Sequence, residues 1–456
     1  MQETPADAPT DGGLRDYVEV MRRLLARGGF ERSGNTAEAA RWDIDHIVRY
    51  LEGRGRPDAR PTVHVAGSKG KGSTAAMTES ILRAAGEHTL LLTSPDLHQA
   101  RERVAIDGAP VGYEAFARHA RTLLDDPATA GWSYFELLTV LGWLAGAEAG
   151  CDRQVLEVGL GGRLDTTNAV AAKDVAVITA IDLEHTAILG DTIPQIAGEK
   201  AGIITGPCAV VAAPMRESAL DVVRARAAER GASLHVVSEE CALRVGSQGL
   251  EEQVFDLRTP VRTYRGLHLP LLGPHQRENA SAAVRAAELA IEARGLELPE
   301  DAVTRGLKGV RLHGRFEVLR KQPLLIVDGL HTPLAARRFR ETVAAAGVPA
   351  RRVLVVGLLA GKDGEAIARE LVQVSDTVVV VPPRSPRAAD PREVVREFTA
   401  AGALAQRASS LAEGLERAAE LGGERAATLV VGSLYTVAEA RELVLGVTGD
   451  AALGLR

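Results

Sequence analysis

Val63-His64-Val65-Ala66-Gly67-Ser68-Lys69-Gly70-Lys71-Gly72-Ser73-Thr74 is a short apolar run that ends in glycines, lysines and hydroxyls. It reads as a strand feeding a phosphate-binding loop. Gly67, Gly70 and Gly72 allow a tight turn whose backbone N–H groups face anionic oxygens, Lys71 supplies a point charge, and Ser73 or Thr74 a hydroxyl near a bound Mg²⁺. The common pattern GxxxxGK[ST] is not met, because Val65 stands at its first glycine and Gly72 separates Lys71 from Ser73, so a plain turn is the alternative. The context favours the loop: an apolar strand precedes it, and Ala75, Ala76, Met77, Ile81, Leu82 and Ala85 follow at helical spacing.

The chain of 456 residues is too long for one ordinary core, which predicts two or three domains. It is 46% hydrophobic and 25% charged, with a net charge of -6 and no sustained basic block, so nucleic acid is not an expected partner. Aromatic residues make up 4%, and any flat ligand must be held by a few identifiable rings. Cys151, Cys208 and Cys241 lack CxxC spacing, which disfavours a disulfide framework or a structural zinc and fits a reducing, cytoplasmic setting. Residues 1–13 read as a polar, disordered lead-in and not as a signal peptide. No apolar run approaches the roughly 20 residues of a membrane helix, so no membrane partner is expected.

Along the chain, Leu14 to Gly53 is largely helical, with Trp42 read as core. His88 to Leu92 forms a second strand and delivers Ser94, at a strand end where open α/β sheets bind ligands. Ser94 is a magnesium or phosphate contact, or part of an ordinary Ser-Pro turn. Trp132, Tyr134 and Phe135 gather three rings. Packing explains Phe135, whereas Trp132 and Tyr134 either border a flat substrate or join the core. Gln154 to Val158 places Glu157 inside an apolar strand, where a carboxylate needs a metal or a buried ion pair. Val175 to Ile181 delivers His185, which with Glu157 and a hydroxyl gives the mixed ligation that leaves Mg²⁺ room for water and phosphate. Ile193 to Ile204 is a helix in which Lys200 reads as a solvated surface residue.

An α/β alternation continues to Val237, and Cys241 to Leu272 switches to period two with turn signals. After a helix from Gly273 to Ala293 the chain restarts near Val310, with apolar strands at 324–328, 353–356, 377–381 and 429–431 separated by helical stretches. The fold class predicted is α/β. A domain over 14–310 carries the phosphate loop on a mainly parallel sheet with a small antiparallel β insert, and a second, Rossmann-like α/β domain covers 311–456.

Taken together these residues resemble the folylpolyglutamate synthase and dihydrofolate synthase family, within the Mur ligase group of ATP-dependent amide-forming enzymes. The resemblance runs over roughly residues 40 to 440. Its specific motifs are His64 to Thr74, Thr93-Ser94-Pro95, Arg101-Glu102-Arg103, Tyr134-Phe135-Glu136, Leu156 to Asp165, Glu199-Lys200-Ala201-Gly202, His275-Gln276, Gly314-Arg315-Phe316-Glu317 and Gly432-Ser433-Leu434-Tyr435.

The resemblance implies that the first domain is a P-loop ATPase domain in which Gly70, Lys71, Gly72 and Ser73 hold ATP phosphates and Ser94, Glu157 and His185 ligate magnesium. Lys200 matches a lysine carboxylated to a carbamate that helps hold a second magnesium. Lys71, Lys200 and His185 would thus carry the catalysis, His185 as a ligand and not as a base. Asn279, Arg315 and Asp328 match nucleotide contacts, which puts ATP between the domains. Tyr134, Phe135, Leu164, Asp165 and Thr166 match the neighbourhood of a pterin-containing substrate, and His331 belongs to the region expected to receive the incoming amino acid.

The implied reaction transfers the ATP γ-phosphoryl group to a carboxylate, and the amino group of L-glutamate attacks the acyl phosphate. Its partners are small molecules (a pterin carboxylate, L-glutamate and ATP) and the chain acts as a monomer. Ser68-Lys69 replaces the usual Thr-Asn of the loop, Asp96 a common histidine, and Leu330 and Thr332 the alanine and asparagine of Asp-Gly-Ala-His-Asn-Pro. The last three substitutions keep two alternatives in view: an amide ligase for a non-folate acid or amine, and a nucleotide binder without catalysis.

Overall fold

The computed structural model describes residues 11–29 and 43–455. Trp42, and residues 1–10 of the expected lead-in, lie outside them. The first helix spans Asp11–Leu25 and buries Tyr17, Val20, Met21 and Leu24 along one stripe. Residues 11–13, expected to be disordered, are therefore its opening turn, recruited because the apolar stripe that follows packs against the helix Tyr113–Leu124.

The first sheet has eight strands: β1 (Thr62–Ala66), β2 (Thr89–Leu92), β3 (Val104–Ile106), β4 (Ala109–Pro110), β5 (Arg153–Glu157), β6 (Val175–Ile178), β7 (Ala209–Ala212) and β8 (Ser233–Val236), in the order β4-β3-β2-β5-β1-β6-β7-β8. Only the β2/β3 and β3/β4 pairings are antiparallel. Every residue of β1 and β5 is buried, the continuous pattern of central strands covered on both faces. Because β1 lies between β5 and β6, the loops leaving β1, β5 and β6 open side by side at the carboxyl edge, with β2 one strand further out. Val65 pairs with Glu157 in the β1/β5 register, which fixes that carboxylate beside the loop.

The helix Lys71–Ala84 runs beneath Pro274–Glu292 and Glu300–Gly309, buried from Ser73 to Leu82. Small residues permit this layering: a Cβ at Gly306 would strike the Ile81 backbone. The insert is the antiparallel trio β9 (Ala242–Gln248), β10 (Gln253–Arg258) and β11 (Thr263–Leu269), whose Phe255, Leu257, Tyr264, Leu267 and Leu269 join the same core.

A six-stranded sheet follows, in the order β12-β13-β17-β14-β15-β16, from β12 (Glu317–Lys321), β13 (Leu324–Asp328), β14 (Arg352–Val356), β15 (Thr377–Val380), β16 (Leu404–Arg407) and β17 (Ala427–Val431). It is parallel except for β12/β13. The two edge strands, β12 and β16, are absent from the sequence-based expectation because neither carries a buried apolar run. The chain then returns: Leu455 packs in the cluster of Tyr17 and Phe116, with Leu453 against it, so this stretch closes over the first helix. No helix among the described residues is long and apolar enough to cross a membrane.

Candidate functional site

The loop between β1 and its helix is pinned from both sides. Ser68 and Lys69 donate their backbone N–H groups to the Ala180 carbonyl at 2.9 and 3.1 Å, tying the loop to the end of β6. Gly70 caps the helix at φ +91°, where a Cβ would run into the Asn279 side-chain amide. A left-handed residue is thus required at the start of this helix, whose first N–H groups have no carbonyl partner within the helix.

Two lysines converge on one carbonyl of this loop. Gly67 O accepts from Lys71 Nζ at 3.1 Å and from Lys200 Nζ at 2.8 Å. Lys200 also pairs with Glu184 at 2.8 Å and is 1% exposed, so the surface position suggested by its helix spacing is corrected: the helix Ile193–Ala201 turns that face inward against the loop. Burial holds the Lys200 amine down to about 8, reinforced by Lys71 and opposed by Glu184. Burial works against ionising Glu184 itself, but Lys200, Lys71 and Lys69 overcome it and hold the carboxyl well below its ordinary value. The sequence pattern singles out His185 and not Glu184, although an acid beside a histidine at a strand end is the signal that marks it.

His185 adopts the left-handed conformation at φ +47°, and burial keeps its imidazole down to about 4 against the pull of Glu184, so it is neutral at pH 7. Glu157 is 7% exposed, and its Oε2 accepts from the Ser94 backbone N–H at 3.0 Å. Burial pushes its carboxyl up, with Lys71 acting the other way. Among the described residues Lys71, Arg315 and Arg103 act on Glu157 through their charge without forming an ion pair with it, and a Cβ at Gly72 would sit 3.2 Å from both its oxygens. A buried carboxylate aimed at the loop without a partner ion fits a hard divalent cation. No group of three or more His, Cys, Asp or Glu forms a metal cage among the described residues, so an ion there would draw on Ser94, Glu157, His185 and the Lys200 neighbourhood, completed by water and ligand oxygens.

Ser73 Oγ accepts from Gln276 Nε2 at 3.2 Å, and Asn279 Nδ2 donates to Gln276 Oε1 at 3.0 Å, which brings Asn279 against Gly70. From the C-terminal sheet, Asp328 at the end of β13 accepts from the backbone N–H groups of Phe316 and Leu330, both at 2.8 Å. Its carboxyl is pushed up by burial, and Arg315 counters. Arg315 also acts on Glu157 and His331, so its charge reaches across the gap between the sheets. His331 is held down to about 3 by burial and Lys69. Beyond Asn279 the gap opens into a groove of about 520 Å³ lined by Asp182, Met215 and Arg216 on one side and Pro333, Arg337 and Arg338 on the other.

The expected pterin neighbourhood is partly closed. Tyr134 is buried under the Arg103 guanidinium, 5.3 Å from its ring centroid, and Phe135 covers Gly159. Asp165 accepts from the N–H groups of Leu160 and Thr167 at 2.9 and 3.0 Å and from Thr167 Oγ1 at 2.5 Å, which folds the loop after β5. Thr166 is buried and Leu164 half-buried beside it. Phe135, Arg103, Glu157 and Thr167 line a cavity of about 20 Å³, room for a single water. Trp132 stacks edge-on to Tyr50 at 4.7 Å and is core, not a wall of the site.

Comparison with known proteins meets this geometry at two levels. Residues 65–287 match the Mur ligase middle domain and residues 314–434 the Mur ligase glutamate ligase domain. The chain is 36% identical over 350 residues to a protein of Mycobacterium tuberculosis named dihydrofolate synthase/folylpolyglutamate synthase, covering 72% of each. It is 37% identical over 394 residues to a Halobacterium salinarum protein named "Probable bifunctional folylpolyglutamate synthase/dihydropteroate synthase", covering 84% of this chain and 47% of that one, so it spans about half the length of that archaeal relative. The crystal structure of M. tuberculosis folylpolyglutamate synthase complexed with ADP and AMPPCP superposes with a TM-score of 0.85 at 30% identity, covering 95% of this chain and 99% of the other.

Proposed function

This chain belongs to the folylpolyglutamate synthase/dihydrofolate synthase family of Mur ligases, and from that membership we propose that it is an ATP-dependent ligase joining L-glutamate to a pterin-containing carboxylate, dihydropteroate or a reduced folate. The observation that carries the reading is the convergence on Gly67 of Lys71 and a buried Lys200 paired with Glu184, one strand from the buried Glu157 carboxylate that the Ser94 N–H holds.

A carboxylate is a poor acylating agent, and phosphorylation gives it a good leaving group. In this reading the helix N-terminus after Gly70 and the Lys71 ammonium neutralise the γ-phosphoryl group as it moves, so catalysis is positioning and electrostatics without a protein nucleophile. Asn279, Arg315 and Asp328 hold the nucleotide from both sides of the interdomain gap. Ser94, Glu157 and His185 would hold one magnesium, and a carbamate formed on Lys200 would help hold a second; such ions withdraw charge from phosphoryl oxygens. The depressed basicity of Lys200 supports the carbamate, because only the neutral amine adds to carbon dioxide. The glutamate amine then attacks the acyl phosphate near His331, while Phe135, Leu164 and Thr166 flank the pterin acid.

Each of the three departures from the family pattern has a structural occupation of its own, so none calls for a different acceptor. Asp96 pairs with Arg103 at 2.6 Å, Leu330 enters the core of the second sheet, and Thr332 caps the helix Pro333–Ala345, the role asparagine would fill. Three free cysteines fit a reducing cytoplasm, and we take the monomer as the working unit. The test is ADP release from ATP, Mg²⁺ and bicarbonate with L-glutamate and a panel of pterin and non-pterin acids. Stimulation by dihydropteroate or tetrahydrofolate is expected, and stimulation by non-pterin acids alone would refute the substrate assignment. Lys71→Ala should lower turnover by at least about 100-fold, by analogy with the loss of one preorganised donor.

A further inference from the structure

The loop that leaves β2 toward Ser94 is fastened to the second sheet by buried charge. Arg441, on the helix Leu434–Leu445, donates through Nε to His98 Nε2 at 3.0 Å, and the same guanidinium pairs with Glu317 at the start of β12. Glu317 in turn accepts from the Gly314 backbone N–H at 2.8 Å and pairs with His313 at 3.1 Å. His98 is 4% and Arg441 5% exposed. The connection is reinforced on its flanks: Asp450 N donates to His98 O at 2.8 Å, Ala100 N donates to the Asp450 carboxylate at 3.0 Å, and Leu97 packs among Leu325, Val327 and Val437.

A buried guanidinium is costly unless it is fully partnered, so a strap of this kind specifies a geometry more than it adds stability. One end of the strap is the segment beginning at Ser94, whose N–H holds Glu157. The other is the turn Gly314-Arg315, which Gly329 N also grips through Gly314 O at 2.9 Å. The Nε2 of His98 can accept only when the ring is neutral, and burial together with Arg441 keeps it so, down to about 4.

We propose that His98, Arg441 and Glu317 form an interdomain strap that sets the position of Arg315 against the Ser94–Glu157 side of the phosphate site, so that a nucleotide is gripped by both domains at once. The three act through Arg315 and touch no reacting atom; they are positioning residues. The inference rests on the ligase reading only in taking Arg315 as a nucleotide contact.

Calorimetry of ADP binding with Mg²⁺ tests it on the full chain, with thermal unfolding followed in parallel. Arg441→Met should weaken ADP about tenfold, Arg315→Ala at least as much, and the double variant no more than Arg315→Ala alone, since coupled residues lose their effects together. Arg441→Lys should fall between native and Arg441→Met. If Arg441→Met unfolds early, His98→Gln, which keeps an acceptor, and His98→Leu, which does not, decide the matter: only the second should weaken ADP. Multiplying losses in the double variant, or native affinity in Arg441→Met or His98→Leu, overturns the strap while leaving the ligase reading intact. A native chain that binds no ADP removes that reading, and the strap falls with it.

Discussion

An amine adds to carbon dioxide as the free base, forming the N–C bond and releasing a proton, so the chemistry open to a lysine depends on where it titrates. An ordinary lysine, at about 10.4, is neutral in fewer than one molecule in a thousand at pH 7. Lys200, held down to about 8 by burial and Lys71, is about one-tenth neutral there. Its nitrogen lies 2.8 Å from Glu184 and 2.8 Å from Gly67 O, which aims it into the site. Because the pKa is lowered, the reactive fraction rises through pH 7 to 8, well below the range in which an exposed lysine loses its proton. Incubation with ¹³C-bicarbonate should therefore give a carbamate resonance that grows from pH 6 to 8 and vanishes in Lys200→Arg. A resonance that persists in that variant would assign the carbamate elsewhere. Turnover in Lys200→Ala should drop by at least about 100-fold, as when one preorganised charge is removed from a site of this kind.

At the scale of elements, the site is the meeting of one helix N-terminus with several strand ends, and Gly70 is the hinge of that meeting. Its φ of +91° is a region that side chains rarely enter, and the Asn279 amide occupies the space a Cβ would need. Gly70→Ala should thus cost about 1–3 kcal/mol in unfolding free energy through backbone strain and displace Asn279, abolishing ADP binding measured by calorimetry; native affinity would mean that the loop is not the phosphate cradle.

The same elements mark where the sequence is readable. β1, β5, β6 and β13 announce themselves as apolar runs that end in polar residues, because central parallel strands are buried on both faces and their carboxyl ends line the ligand edge. Glu157 was legible for that reason: a carboxylate inside such a run has few explanations. Lys200 was legible only through the resemblance and not from its spacing, because helical spacing assigns faces only relative to a core, and its partners Gly67 and Glu184 are 133 and 16 residues away. Nor were β12 and β16 or the strap, since edge strands carry weak patterns and Arg441 reaches His98 across 343 residues of chain.

At the scale of the whole molecule, the chain's last turn binds its two parts into one unit through Asp450. This carboxylate leaves the C-terminal sheet domain to accept from Tyr17 Oη at 2.9 Å, in the first helix, and from Ala100 N at 3.0 Å, while Leu455 enters the Tyr17 cluster. Burial pushes the acid up to about 6, with Glu102 adding, and the hydrogen bonds from Ala100 and Tyr17 pull only part of the way back. The sign follows directly. A folded-state value above the unfolded one means that folding favours the protonated acid, so this contribution to stability is complete below about pH 4 and is lost as pH rises through about 6. Asp450→Asn copies the protonated form in shape and can accept from Ala100 while donating to Tyr17. The stability of the variant relative to the native chain should therefore increase between pH 4 and 7, by up to about 3 kcal/mol, and level off above that. All other titrating groups are common to both chains, so the difference in denaturant midpoints at matched pH isolates Asp450. A difference that stays flat across this range, or runs the other way, would show that the tail is joined to the first helix by an anion the fold accepts without penalty.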